Sequence, residues 1–192
     1  MLEQRDYSCD SDVMVDGDIF TYPYYWNPGQ VLAVKILQPL TSARNYFEQK
    51  ILSPGVKCVI TIGVVGRNYP LDMQPGWVKE GIGYHADDGG LFNENGRGTL
   101  FGPMCTAGDC MGCGVVFEDT EDVKSSDYVK VFFTKNGKQV GDIVDFRRPA
   151  SGQGLYPLMG FSSRGEQVQY LGMWHHLPNV SQVPEHNNEE SK

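Results

Sequence analysis

The chain of 192 residues lacks a long apolar run, a surplus of positive charge and a repeat. Its longest nearly apolar stretch, Val59 to Val65, contains Thr61 and Gly63. Spanning a bilayer takes about 20 residues, so no membrane helix and no membrane partner are expected. Sixteen Lys and Arg face 24 Asp and Glu, a formal net charge of -8. A nucleic-acid binder needs Lys and Arg gathered on one face to neutralise phosphates, so nucleic acid is not expected as a partner. The first residues carry Glu3, Asp6, Asp10 and Asp12, with no positive n-region and no apolar h-region. That pattern is not a secretory signal, and the expectation is an intracellular protein. Five cysteines, Cys9, Cys58, Cys105, Cys110 and Cys113, are an odd number and suit a reducing compartment with free thiols.

Recognisable catalytic motifs are also missing. Neither the metalloprotease H-E-x-x-H nor the phosphate-binding P-loop occurs, and Gly160-Phe161-Ser162-Ser163-Arg164 breaks the G-x-S-x-G nucleophile elbow by placing Arg164 at the second glycine. Gly96-Arg97-Gly98 has Phe101 where the dinucleotide fingerprint needs its third glycine. No enzyme and no cofactor are therefore expected. Cys110-Met111-Gly112-Cys113 has the spacing of a zinc knuckle, which Cys105, His85, His175 or His176 would have to complete. Cys110 and Cys113 fall on opposite faces of a strand, and the expectation is small buried thiols with no metal. Asp87, Asp88, Asn93, Glu94 and Asn95 are not in register for an EF-hand, and residues 87–98 read as a loop connection. The Asn179-Val180-Ser181 sequon is expected to be idle without a secretory signal.

What is present points to β structure. Hydrophobic residues make up 40% and charged residues 21%, an ordinary globular balance. Glycine and proline together occupy roughly 18% of positions against a usual value of about 12%, which implies frequent turns between short elements. Tyr128-Val129-Lys130-Val131-Phe132-Phe133-Thr134 is rich in β-branched and aromatic residues, and Asn136-Gly137 after it supplies the two positive φ angles of a type I′ hairpin turn. Val59 to Ile62, Met111 to Phe117, Leu155 to Phe161 and Gln167 to Trp174 also read as strands bounded by Gly or Pro. Residues 118–127 form an acidic loop between two of these strands. Leu40 to Ser53 fits a helical and an extended pattern equally well. The pattern as a whole is that of an all-β, antiparallel sandwich in one domain. Residues 1–16 and 178–192 are polar and are expected to be a flexible N-terminal segment and a disordered tail around a domain at 17–177.

Two aromatic, Pro- and Gly-rich stretches stand out: Tyr22, Tyr24, Tyr25 and Trp26 with Pro23, Asn27, Pro28 and Gly29, and Tyr69, Met73 and Trp77 with Pro70, Pro75 and Gly76. Large, low-entropy side chains on such loops either cover the core's ends or meet a partner peptide.

An ordered set of motifs resembles the SPRY domain of the B30.2/SPRY family: Tyr46-Phe47-Glu48, Ile62-Gly63, Pro75-Gly76-Trp77, Gly83-Tyr84-His85-x-Asp87-Asp88-Gly89, Gly108-Asp109-x-x-Gly112-Cys113, Phe133-Thr134-Lys135-Asn136-Gly137 and Leu155-Tyr156-Pro157. The Gly-Tyr-His-x-Asp-Asp-Gly stretch is similar to the subgroup that includes the Ran-binding protein of the microtubule-organising centre. The resemblance implies a concanavalin-like twisted β-sandwich of two antiparallel sheets without catalytic residues, with loops at one edge that bind an intracellular protein or peptide. It makes Tyr46 to Leu52 a strand, and gives Gly63, Gly83, Gly112 and Gly137 structural duties. Members that recruit substrates to ubiquitin ligases use an Arg-x-Pro in an early loop and a Val-Trp-Gly in a late one; here those places read Leu37-Gln38-Pro39 and Ser162-Ser163-Arg164. The implied partner-binding set is Leu37, Gln38, Pro39, Leu40, Lys57, Tyr69, Met73, Trp77, Ser162, Ser163 and Arg164, working as an adaptor or scaffold. The alternative is a calcium-dependent glycan or small-molecule binder on the same sandwich, with Asp87, Asp88 and Asn95 around the ion.

Overall fold

The computed structural model describes residues 2–25, 27, 29–117, 127–149 and 154–178. Trp26 and Pro28 of the first aromatic stretch, the acidic loop at 118–126, the sequon at 179–181 and the tail from 179 onward lie outside the described residues.

Among the described residues, fourteen strands form two seven-stranded sheets in which every pairing is antiparallel. In chain order they are β1 (Tyr7–Cys9), β2 (Met14–Asp16), β3 (Ile19–Thr21), β4 (Leu32–Ile36), β5 (Tyr46–Pro54), β6 (Thr61–Val65), β7 (Gly81–His85), β8 (Gly90–Asn93), β9 (Thr99–Leu100), β10 (Cys110–Val116), β11 (Tyr128–Lys135), β12 (Lys138–Arg147), β13 (Tyr156–Phe161) and β14 (Glu166–Trp174). The first sheet runs β1-β4-β13-β6-β7-β8-β9 and the second β12-β11-β10-β5-β14-β3-β2. Among the described residues the helical element is a single 3-10 turn at Gln4–Asp6. None is long and apolar enough to cross a membrane.

The inner faces of the two sheets close on one core that includes Phe20, Phe47, Ile62, Tyr84, Phe133 and Val168. Tyr84 of the first sheet meets Phe133 of the second at 5.8 Å between ring centroids, and burying such rings is the main apolar contribution to the sandwich. β5 and β14 alternate buried and half-buried residues. In contrast, β4, β6, β7 and β13 are buried at every position. The cause is the connection between β6 and β7, which covers the outer face of the first sheet: Tyr69 joins Ala33, Val65, Tyr156 and Leu158 in a second apolar cluster, with Leu71, Met73 and Val78 packed against it. Gly63 and Gly83 have the structural duty expected of them, because a Cβ at either would collide with Pro75 of this connection. A strand covered on both faces loses its period-2 signature, which hides β4 and β7 from a pattern reading.

Asn136 and Gly137 both hold positive φ, 52° and 74°, and close the β11–β12 hairpin as their sequence predicts. The ambiguous window resolves into a loop and then β5, in line with the SPRY resemblance. Two expectations require correction. Residues 7–16, expected in a flexible N-terminal segment, instead supply the edge strands of both sheets: Tyr7 to Cys9 pair with β4, Met14 to Asp16 pair with β3, and Val13 is buried; backbone pairing and one apolar side chain outweigh the acidic composition. Residues 87–98 are not one loop, because Leu91 to Asn93 pair with β7 before the turn begins.

Candidate functional site

Three connections converge beyond the end of β13. Phe161 faces Leu32 across the β13–β4 ladder, so the turn at 162–165 comes to lie against the segment that leads into β4. The Gly29 N–H donates to the Ser162 carbonyl at 3.0 Å, and the Gly165 N–H donates to the Tyr22 carbonyl at 3.1 Å. On the other side, Val56 N–H donates to the Arg164 carbonyl at 3.0 Å and Lys57 N–H to Ser163 Oγ at 2.9 Å. Tyr22 holds its own loop from below, donating through its hydroxyl to the Asn27 carbonyl at 2.6 Å. The loops are thus laced by main-chain bonds and need little ordering to present a fixed surface.

Between them lies a cavity of about 460 Å³ lined by Gly29, Val56, Lys57, Val59, Ser162, Ser163 and Arg164. Lys57 and Arg164 are exposed on its wall. Val56 is 72% exposed and Tyr24 is 70% exposed; the Tyr24 ring sits against Gly165. Apolar wall, two cations and a projecting aromatic ring form a surface suited to an extended segment that carries a carboxylate.

Beneath the turn is a buried acid. Glu166 is fully buried, and its Oε2 accepts the N–H groups of Ser162 and Ser163, each at 2.9 Å. Its Oε1 has no hydrogen-bond partner. Burial pushes the carboxyl up to about 7, against the pull of the N–H donors. Cys58 beside it is pushed up to about 11, first by burial and then by the negative charges of Glu166 and Asp87. A thiol held that high is not a nucleophile at neutral pH. Among the described residues no Ser or Cys side chain is hydrogen-bonded to a His.

The expected set divides. Lys57, Ser162, Ser163 and Arg164 come together around the cavity. Leu37, Gln38, Pro39 and Leu40 leave the opposite end of β4, where the Leu40 N–H donates to the Leu155 carbonyl at 2.8 Å. Leu37 and Gln38 are exposed there, while Leu40 is 4% exposed and belongs to the core. Tyr69 is likewise buried, donating its hydroxyl to the Gln74 carbonyl at 2.6 Å. Met73 and Trp77 are half-buried on the outer face of the first sheet. Leu40 and Tyr69 therefore support the scaffold and offer no side chain to a partner. Gly29, Val56 and Val59, outside the expected set, line the same cavity, and Glu166 lies beneath its turn. The Pro- and Gly-rich stretch around Tyr24 marked the first connection, and an acid directly after a glycine at the start of an apolar strand was the available signal for Glu166.

The cysteine pair does not form a metal knuckle: Cys113 is in the core and Cys110 half-buried on the other face of β10. Of the calcium set, Asn95 is engaged in its own turn, donating to the Asn93 carbonyl at 2.8 Å and accepting the Arg97 N–H at 2.9 Å.

The SPRY domain family model matches residues 44–172. SPRY domain-containing protein 3 of Homo sapiens is 43% identical over 157 residues, which cover 82% of this chain and 34% of that protein. The Ran-binding proteins 9/10 homolog of Drosophila melanogaster is 35% identical over 138 residues, 71% of this chain and 13% of that one. The chain thus spans about a third or less of the length of these curated relatives. A crystal structure of a human SPRY domain superposes with a TM-score of 0.71 at 38% identity, covering 85% of this chain and 95% of the other. The SPRY domain of human HERC1, at 20% identity and a TM-score of 0.60 over 88% and 95% of the two chains, shares the fold.

Proposed function

The chain belongs to the SPRY domain family, whose members are generally non-catalytic protein-interaction modules, and from that premise we propose that it binds an extended, acidic segment of an intracellular protein in the cavity beyond β13, as an adaptor or scaffold. The observation that carries the reading is the placement of Lys57 and Arg164 on the wall of one preformed cavity, next to exposed Val56 and Tyr24. On a chain of net charge -8, two cations at one cavity select carboxylates locally and speed their approach. Relatives named as Ran-binding support a protein as the class of partner.

The test is affinity capture from cell lysate with the full chain and, in parallel, a Lys57→Glu, Arg164→Glu double variant whose fold is checked by circular dichroism. Partners lost selectively by the variant support the reading. Retention of the same partners overturns this placement and moves attention to the Leu37–Pro39 end of β4.

A further inference from the structure

The turn joining β7 to β8 holds a second cluster, which peptide binding does not use. His85, the last residue of β7, is 3% exposed. Its ring is stacked at 4.0 Å on Phe92 and lies 6.4 Å from Trp77 at an interplanar angle of 29°. Nε2 is buried without a hydrogen-bond partner, and Nδ1 stands 3.9 Å from Asp87 Oδ1. That Oδ1 is itself a buried atom with no hydrogen-bond partner. An imidazole nitrogen and a buried, unpartnered carboxylate oxygen 3.9 Å apart leave room for a shared ligand. Asp88 follows on the exposed side, and one ligand atom from each of His85, Asp87 and Asp88 lies within 4.8 Å of the other two.

Metal–donor bonds to imidazole and carboxylate are about 2.0–2.2 Å, so tetrahedral donors on one ion stand about 3.3–3.6 Å apart. The 3.9 Å gap between His85 and Asp87 reaches that range when the carboxylate moves by a few tenths of an ångström. Stacking on Phe92 fixes the imidazole plane, and the exposed Asp88 leaves a side open for entry and for a water ligand. The donor set decides the ion. Calcium takes six to eight oxygens, whereas an imidazole nitrogen with two carboxylates suits zinc and its neighbours. We propose that His85, Asp87 and Asp88 bind one divalent first-row transition cation, with Zn²⁺ the best fit. The ion neutralises two adjacent carboxylates and ties the end of β7 to its turn.

The full chain, stripped with a chelator, is titrated with Zn²⁺ against a chromogenic competitor and with Co²⁺ as an absorption probe. One equivalent is expected to bind, with a Co²⁺ spectrum free of thiolate charge-transfer bands and a rise in Tm that Ca²⁺ at the same concentration does not produce. Losing an outer-shell partner alone weakens metal affinity roughly 10–100-fold, so Asp87→Asn and Asp88→Asn should each weaken binding by roughly tenfold or more. Asp88→Asn keeps the Oδ1 that accepts the Gly90 N–H at 2.8 Å, so its turn remains capped. Three results would overturn the proposal: no stoichiometric Zn²⁺ uptake, unchanged affinity in the Asp87→Asn, Asp88→Asn double variant, or thiolate bands that place the ion on cysteine.

Discussion

The Ser163 N–H donates to the Glu166 carboxylate at 2.9 Å, so a buried acid shapes the turn on which Arg164 stands. The turn takes its form from a group that faces inward, while the residue it presents faces out.

That acid makes stability depend on pH. The Glu166 carboxyl rises from 4.5 to about 7 in the folded protein, chiefly through burial, with Asp87 adding to the rise. The folded state therefore binds the proton more tightly than the unfolded state. The stabilisation is complete below about 4.5 and is lost as pH climbs to about 7, a change of about 3 kcal/mol. His85 contributes the opposite slope, because burial lowers it from 6.5 to about 4. Comparing wild type with Glu166→Gln at each pH, with chelator present, isolates the acid. Urea melts should show the variant gaining on wild type from pH 5 to pH 8; a constant difference would show that Glu166 does not titrate there.

Tyr24 is exposed yet rests against Gly165 at the cavity. Tyr24→Ala is expected to weaken binding of a partner captured by the wild type by about 1–2 kcal/mol, with Tm unchanged. Leu37→Asp, at the far end of β4, should leave that affinity as it is. Titration calorimetry that ranked the two variants the other way would relocate the site.

In the β11–β12 turn, Gly137 holds φ at 74° and a Cβ there would meet nothing within 4 Å. Gly137→Ala thus probes backbone strain without a clash, and about 1 kcal/mol of stability should be lost in chemical denaturation. Asn136→Ala should lose more than strain alone, since its Oδ1 accepts the Cys110 N–H and its Nδ2 donates to Asp109 Oδ1, both at 2.8 Å.

Phe133 is fully buried between Tyr84 and Phe101, each 5.8 Å away by ring centroid. Phe133→Ala should cost about 3–5 kcal/mol through lost burial and the cavity left behind. Leu100, 93% exposed, is the control, and Leu100→Ala should stay within about 0.5 kcal/mol of wild type. Equal effects from the two would mean that the sheets do not close on Phe133.

The sequence by itself determined the fold class and its punctuation. β-branched and aromatic runs such as Tyr128 to Thr134 prefer a pleated, half-buried surface, and Asn136-Gly137 permits the left-handed backbone that a tight hairpin needs; both are local properties. Tertiary structure decided the rest. β4 and β7 are covered on one face by the opposite sheet and on the other by the β6–β7 connection, so their periodicity is erased. Met14 to Asp16, in an acid-rich segment, become a strand because β3 offers them backbone partners. The proposed binding set was half legible: Lys57, Ser162, Ser163 and Arg164 share a cavity, but Leu37 to Leu40 stand at the other end of the same strand. Antiparallel register fixes which loops meet at each end of a sheet, and register is set by pairing across the whole sandwich. Spacing along the chain does not contain it.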